Sequence, residues 1–181
     1  MYTRNLLWLV SLVSAAPLYA ADVPANTPLA PQQVFRYNNH SDPGTLDPQK
    51  VEENTAAQIV LDLFEGLVWM DGEGQVQPAQ AERWEILDDG KRYIFHLRSG
   101  LQWSDGQPLT AEDFVLGWQR AVDPKTASPF AGYLAQAHIN NAAAIVAGKA
   151  DVTSLGVKAT DDRTLEVTLE QPVPWFTTML A

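Results

Sequence analysis

Acid–base or nucleophilic chemistry needs particular side chains at particular spacings, and this 181-residue chain offers few of them. Two adjacent carboxylate pairs, Asp88-Asp89 and Asp161-Asp162, have the residue type that flanks the scissile bond in glycoside hydrolysis. Both stand among turn residues, where aspartate is favoured because it bonds its own backbone, and we read them as turns. His40, His96 and His138 are far apart, none has the i,i+4 histidine partner and intervening glutamate of a zinc hydrolase, and there is no cysteine to supply a thiolate. No metal site is expected, and the histidines read as surface or strand residues. No G-x-S-x-G, P-loop or G-x-G-x-x-G motif is present. Gly72 and Gly74 share the spacing that opens a phosphate loop, but Asp71 and Glu73 beside them would repel phosphate, so they read as turn glycines. Trp69, Trp84, Trp103, Trp118 and Trp175 could stack on sugars, yet four of them fall in apolar-periodic or turn-flanked contexts expected of core packing.

Composition narrows the class further. With 46% hydrophobic residues the chain can bury a core, and it has room for one domain or one domain and a piece of another. Its 12 basic and 22 acidic residues give a formal charge of −10, which argues against a wide phosphate-binding surface and so against nucleic acid. The start of the chain reads as an address. Arg4 is the only charge before an apolar block from Leu6 to Val13, Pro17 interrupts the run short of the roughly 20 residues a membrane span needs, and Leu18-Tyr19-Ala20 ends it. Residues 1–20 are expected to be a signal peptide cleaved after Ala20, which moves the formal charge from −10 to −11. Without cysteine the mature chain cannot be anchored through an acylated thiol, and a Gram-negative-type periplasm is the expected compartment.

The elements that must position any site follow from periodicity. Pro24, Pro28 and Pro31 mark an extended lead-in, and Val34 to Tyr37 read as a strand. Asn54 is a candidate N-cap for a helix whose Ile59, Val60, Leu63, Phe64 and Leu67 recur at helical spacing, one face of which is expected to be well buried. Leu67 to Trp69 and Val76 flank Asp71-Gly72-Glu73-Gly74 as a hairpin. Tyr93, Phe95 and Leu97 alternate with Arg92, Ile94, His96 and Arg98 as a half-buried strand. Another turn is expected at Trp103-Ser104-Asp105-Gly106. Thr110 and Asp113 form an acidic capping box for a helix with Phe114, Val115, Trp118 and Val122 on one side, stopped at Asp123-Pro124. A second helical region is expected from about Phe130 to Ala147, then strands at 155–159 and 164–169 joined across Asp161-Asp162-Arg163. Trp175, Phe176, Met179 and Leu180 make an uncapped apolar run, from which the sequence is expected to stop inside a larger protein. These residues alone lead to an exported, acidic, mixed α/β binding-type domain.

A longer pattern is more specific. Ala81-Glu82-Arg83-Trp84, Tyr93 to Arg98 and Gly100-Leu101-Gln102-Trp103-Ser104-Asp105-Gly106-Gln107-Pro108-Leu109-Thr110-Ala111-Glu112-Asp113-Phe114 resemble the signature of the family 5 extracellular solute-binding proteins, the peptide- and nickel-type receptors of ABC importers. Asp123 to Phe130, Leu155 to Ala159, Asp62 to Leu67 and the Leu46-Asp47-Pro48 core narrow the resemblance to its oligopeptide and murein-tripeptide receptors. It runs over essentially all of residues 21–181.

The resemblance implies a periplasmic-binding-protein-like fold of type II, mixed α/β, in a protein about three times longer. Residues 21–64 would be the first segment of one ligand lobe and 65–181 most of an extra α+β domain, the second lobe lying elsewhere. It also implies a monomeric, non-enzymatic receptor without cofactor. Such a receptor closes by a hinge around an oligopeptide, bonds its main chain, and delivers it to an inner-membrane ABC permease. The segment after L-D-P, here Glu52, Glu53 and Asn54, would supply backbone contacts to the ligand, or Asn54 would only cap its helix. Phe130 stands where oligopeptide receptors have tyrosine and murein-tripeptide receptors phenylalanine, so it is either a ligand contact or core. Leu61 stands where relatives carry arginine. These departures leave open a murein peptide, dipeptide, haem or nickel chelate as ligand. Two other functions compete: a folded, ligand-incompetent module with a structural or interaction role, and an exported glycoside hydrolase.

Overall fold

The alternation of Tyr93, Phe95 and Leu97 organises the molecule. A strand points successive side chains to opposite faces, and in the computed structural model, which describes residues 27–28, 31–32 and 34–181, these three are buried while Arg92, Ile94 and His96 between them are half-exposed. The described residues fall into two units, one ending at Asn38 and the other spanning Asn39–Ala181. In the first, Phe35 and Tyr37 stack with ring centroids 6.0 Å apart. Val34 to Tyr37 form no strand, contrary to expectation: the segment has strand-forming side chains but makes no ladder, and without ladder hydrogen bonds extended backbone is only coil. The expected signal peptide lies outside the described residues. Among those described, no helix is long and apolar enough to cross a membrane.

The larger unit begins with helix α1 (Asn54–Leu63) and a two-stranded hairpin, β1 (Val68–Met70) and β2 (Val76–Pro78). An antiparallel sheet follows, built from β3 (Ala81–Leu87), β4 (Arg92–Leu97), β5 (Val157–Asp161) and β6 (Thr164–Thr168) in the order β3-β4-β6-β5. Two local hairpins are thus zipped together along β4 and β6, with Tyr93 opposite Val167 and Phe95 opposite Leu165. Between the hairpins the chain forms α2 (Ala111–Val122), α3 (Ala131–Gln136) and α4 (Ala142–Val146), and it closes with α5 (Phe176–Met179). Helix α2 packs on β5 and β6, and its Val115 and Val122 join Phe95, Leu97, Leu165, Val167 and Ile145 in one core. Each such side chain contributes about 1.5–3 kcal/mol on burial.

The predicted capping box is present: the carboxylate of Asp113 accepts from the Thr110 N–H at 2.7 Å and from its hydroxyl at 3.0 Å. Two expectations need correction, and a third is refined. The helical region at 130–147 is two short helices, because His138 and Asn141 take left-handed backbone and Ile139 makes a β-bridge to Leu169 between them. None of the five tryptophans is wholly buried. Trp84 and Trp118 lean on the core, while Trp69, Trp103 and Trp175 are exposed. The apolar run at 175–180 divides: Phe176 is fully buried with its ring 4.7 Å from that of Tyr93, and Trp175 is 61% exposed.

Candidate ligand segment and its support

Asp47 is the centre from which the segment Gly44–Asn54 is built. Its carboxylate accepts the Gln49 N–H at 3.2 Å, its carbonyl accepts the Lys50 N–H at 2.9 Å, and its own N–H donates to the Thr45 hydroxyl at 3.1 Å. This is the Asx-turn chemistry that an Asp-Pro pair favours. Arg120 of α2 grips the same carboxylate with both prongs of its guanidinium, Nη1 to Oδ1 at 2.8 Å and Nη2 to Oδ2 at 2.6 Å. Nη1 also donates to Gln49 Oε1, and Gln49 Nε2 donates to the Gly117 carbonyl at 2.5 Å. The hydrogen bond from Arg120 holds the Asp47 carboxyl at a pKa of about 2, well below its ordinary 3.8, against the opposing effect of desolvation. The same pairing raises the pKa of Arg120.

Glu52, Glu53 and Asn54 follow, all exposed, at the N-terminal end of α1. Glu53, not Asn54, is the N-cap, and Asn54 is the first helical residue. The difference arises because the Glu53 carbonyl already accepts the Ala56 and Ala57 N–H groups, while the Glu53 side chain turns back to accept the Gly44 N–H at 3.2 Å. The expected burial of one α1 face is not found. Only Ala56 is wholly buried, and Leu61 and Leu63 are 72% and 61% exposed. Helical spacing marks a face that favours cover without specifying what covers it. Phe130 lies on a different element, at the N-cap of α3, with its ring 56% exposed and its N–H donating to the Ser128 hydroxyl at 3.2 Å. Glu52, Glu53 and Asn54 are neighbours by sequence, and Phe130 stands on another element, outside the core.

A concave surface adjoins this loop. Pro48 and Gln49 form one wall of a groove of about 650 Å³ whose apolar lining includes Phe64, Trp103, Phe114 and Trp118. Two of the histidines and one member of each acidic pair make hydrogen bonds within the fold. His96 bonds Glu85 at 2.8 Å, His138 bonds Gln171 at 3.0 Å, Asp88 pairs with Arg92 at 2.7 Å, and Asp161 accepts the Arg163 N–H at 2.8 Å. No cluster of three metal-ligating side chains occurs among the described residues.

Against known proteins, residues 75–181 match the family described as bacterial extracellular solute-binding proteins, family 5 Middle. The chain belongs to this family. Among family 5 relatives, it is 99% identical over its full length to the probable deoxycholate-binding periplasmic protein YgiS of Escherichia coli K12, of which it covers 34%. It is 51% identical to the periplasmic oligopeptide-binding protein OppA of Salmonella typhimurium, over 95% of this chain and 32% of that protein. In structure it is similar to Haemophilus influenzae OppA in complex with the peptide RPPGFSPFR, at a TM-score of 0.76 and 44% identity, covering 79% of this chain and 28% of the other. The chain spans about a third of the length of the curated relatives it matches. The mixed α/β periplasmic-binding-protein architecture expected from the sequence agrees with these neighbours. Arg120 is the functional candidate that sequence reasoning missed; its partner Asp47 is 73 residues away, and no local spacing signals such a pair.

Proposed function

We propose that this chain is the N-terminal part of an exported solute receptor that closes around its ligand in the periplasm and presents it to an inner-membrane ABC permease. The observation that carries this is the similarity, along the whole chain, to periplasmic binding proteins of family 5. In this reading residues 1–20 are removed on export, 21–64 begin one ligand lobe, and 65–181 form most of an extra α+β domain. Glu52, Glu53, Asn54 and Phe130 contact the solute, and the receptor acts as a monomer that binds without altering its ligand.

Two ligand classes compete. An oligopeptide is favoured by the 51% identity to OppA, and the exposed Glu52 and Asn54 at the α1 terminus are compatible with bonds to a peptide main chain. An amphipathic bile acid is favoured by the name of the 99% identical relative. The apolar groove beside Gln49 and the Phe130 ring, which has no hydroxyl to match a peptide, are compatible with it. At that identity the relative's ligand takes precedence, so deoxycholate is the first reading and oligopeptides the second. The test is calorimetric titration of the protein at its natural length with sodium deoxycholate below its micelle-forming concentration and with tri- to pentapeptides. Saturable one-to-one heat with deoxycholate is expected; heat with peptides alone transfers the assignment to them, and heat with neither removes the receptor reading.

A further inference from the structure

Glu52, Glu53 and Asn54 stand at the start of helix α1, which is poorly held by apolar packing, since Ala56 is its only wholly buried residue. Polar ties flank it instead. Before it stands the Arg120–Asp47 pair, and just beyond its C-terminal end Arg98 Nη2 donates to Glu65 Oε2 at 2.6 Å. The first tie is the more elaborate. Arg120 contributes two parallel bonds in the fork geometry that only guanidinium supplies, and Gln49 reaches across to the α2 backbone beside it. The loop so gripped is internally stiff, because Asp47 bonds Thr45, Gln49 and Lys50, and Glu53 reaches back to Gly44. Helix α2 is in turn fixed by Val115 and Val122 in the core. A continuous path thus runs from the core through α2, Arg120 and Asp47 to the start of α1.

We propose that Arg120 is a positioning residue: by gripping Asp47 it fixes the 44–51 loop against α2 and so aims Glu52, Glu53 and Asn54 at the solute. The inference rests on the receptor reading above, and it adds a residue outside the ligand segment that sets affinity without touching the ligand. An ion pair whose arginine is 46% exposed has only a modest effect on folding. Its expected effect here is on geometry, because a helix end displaced by about an ångström loses hydrogen bonds whose strength depends on distance and angle.

The experiment compares unmodified protein, Arg120→Met, Arg120→Lys, Asp47→Arg and the charge-swapped double variant D47R/R120D, all at natural length. Sodium deoxycholate and trialanine are the titrants, and hydrogen exchange follows the amides of residues 45–57 and of β4 and β6. We expect Arg120→Met to weaken binding about three- to tenfold and to speed exchange at 45–57 while β4 and β6 keep their protection. Arg120→Lys should recover part of the affinity, having charge but no fork. The swap should bind better than Asp47→Arg alone, which keeps the proposal testable should Arg120→Met fold poorly. Unchanged affinity in Arg120→Met overturns the positioning role and leaves the receptor reading standing. Equally accelerated exchange in β4 and β6 also overturns it, as that marks general loss of structure. Unmodified protein that binds neither titrant overturns the receptor reading, and the positioning role falls with it.

Discussion

Asp47 keeps its charge far into the acid range because Arg120 favours the ionised form, and this has a signed consequence. A carboxyl whose pKa is lowered by folding, here from 3.8 to about 2, adds stability that is fully present above pH 3.8 and is lost as pH falls through 2. The stability difference between unmodified protein and Asp47→Asn should therefore be constant from pH 7 to about 5, shrink as pH falls below 3.8 and level off only below about 2. Urea titrations at stepped pH measure it, and a difference that grows toward acid would contradict the assignment. A second residue-scale prediction concerns Gly156, whose N–H donates to Asn140 O and whose carbonyl accepts from Thr168 N, both at 2.8 Å. A Cβ added there would lie 2.5 Å from Asn140 Cβ and 2.7 Å from Thr168 O. Gly156→Ala should lower stability by about 1–3 kcal/mol, as overpacking of a tight site does, read as a fall in the urea midpoint. Neither feature was legible in the sequence. Asp47 stood out only within its L-D-P core, while the crowding at Gly156 and the grip of Arg120 depend on residues brought close by folding.

Elements were read best where the signal is local. The period-two run at 93–97, the turn at 71–74 and the Thr110–Asp113 cap each encode their structure within a few residues, and all three are present. Asp113→Ala removes the acceptor of the Thr110 N–H and should cost about 1 kcal/mol, detectable as lower thermal stability with unchanged β-sheet signal. Misreadings arose where neighbours decide. Alanine-rich 130–147 has helical propensity throughout, but the bridge of Ile139 to Leu169 diverts the backbone, and Asn141 supplies the left-handed residue that lets α4 restart. Strand-forming side chains at 34–37 did not make a strand because they form no ladder. The proposed ligand segment is legible only through resemblance, and its tie to α2 depends on contacts made by folding.

At the scale of the molecule, the exposed Leu61, Leu63 and Phe64 of the α1 region form an apolar surface of the kind that soluble proteins rarely leave open. The 181-residue chain expressed by itself should bind a hydrophobic fluorescent dye, and Leu61→Gln with Leu63→Gln should reduce that signal; an undiminished signal would place the dye elsewhere. The sheet order has a different consequence. Because β6 enters between β4 and β5, the β3-β4 hairpin keeps an unpaired edge of backbone N–H and C=O groups until the three helices and β5 have all been synthesised. Long-range pairing of this kind is slow to form and prone to mispairing while it waits. A nascent chain halted before Thr164 therefore presents an open strand edge and a core without Leu165 and Val167, and it stays unfolded and open to pairing with other strands.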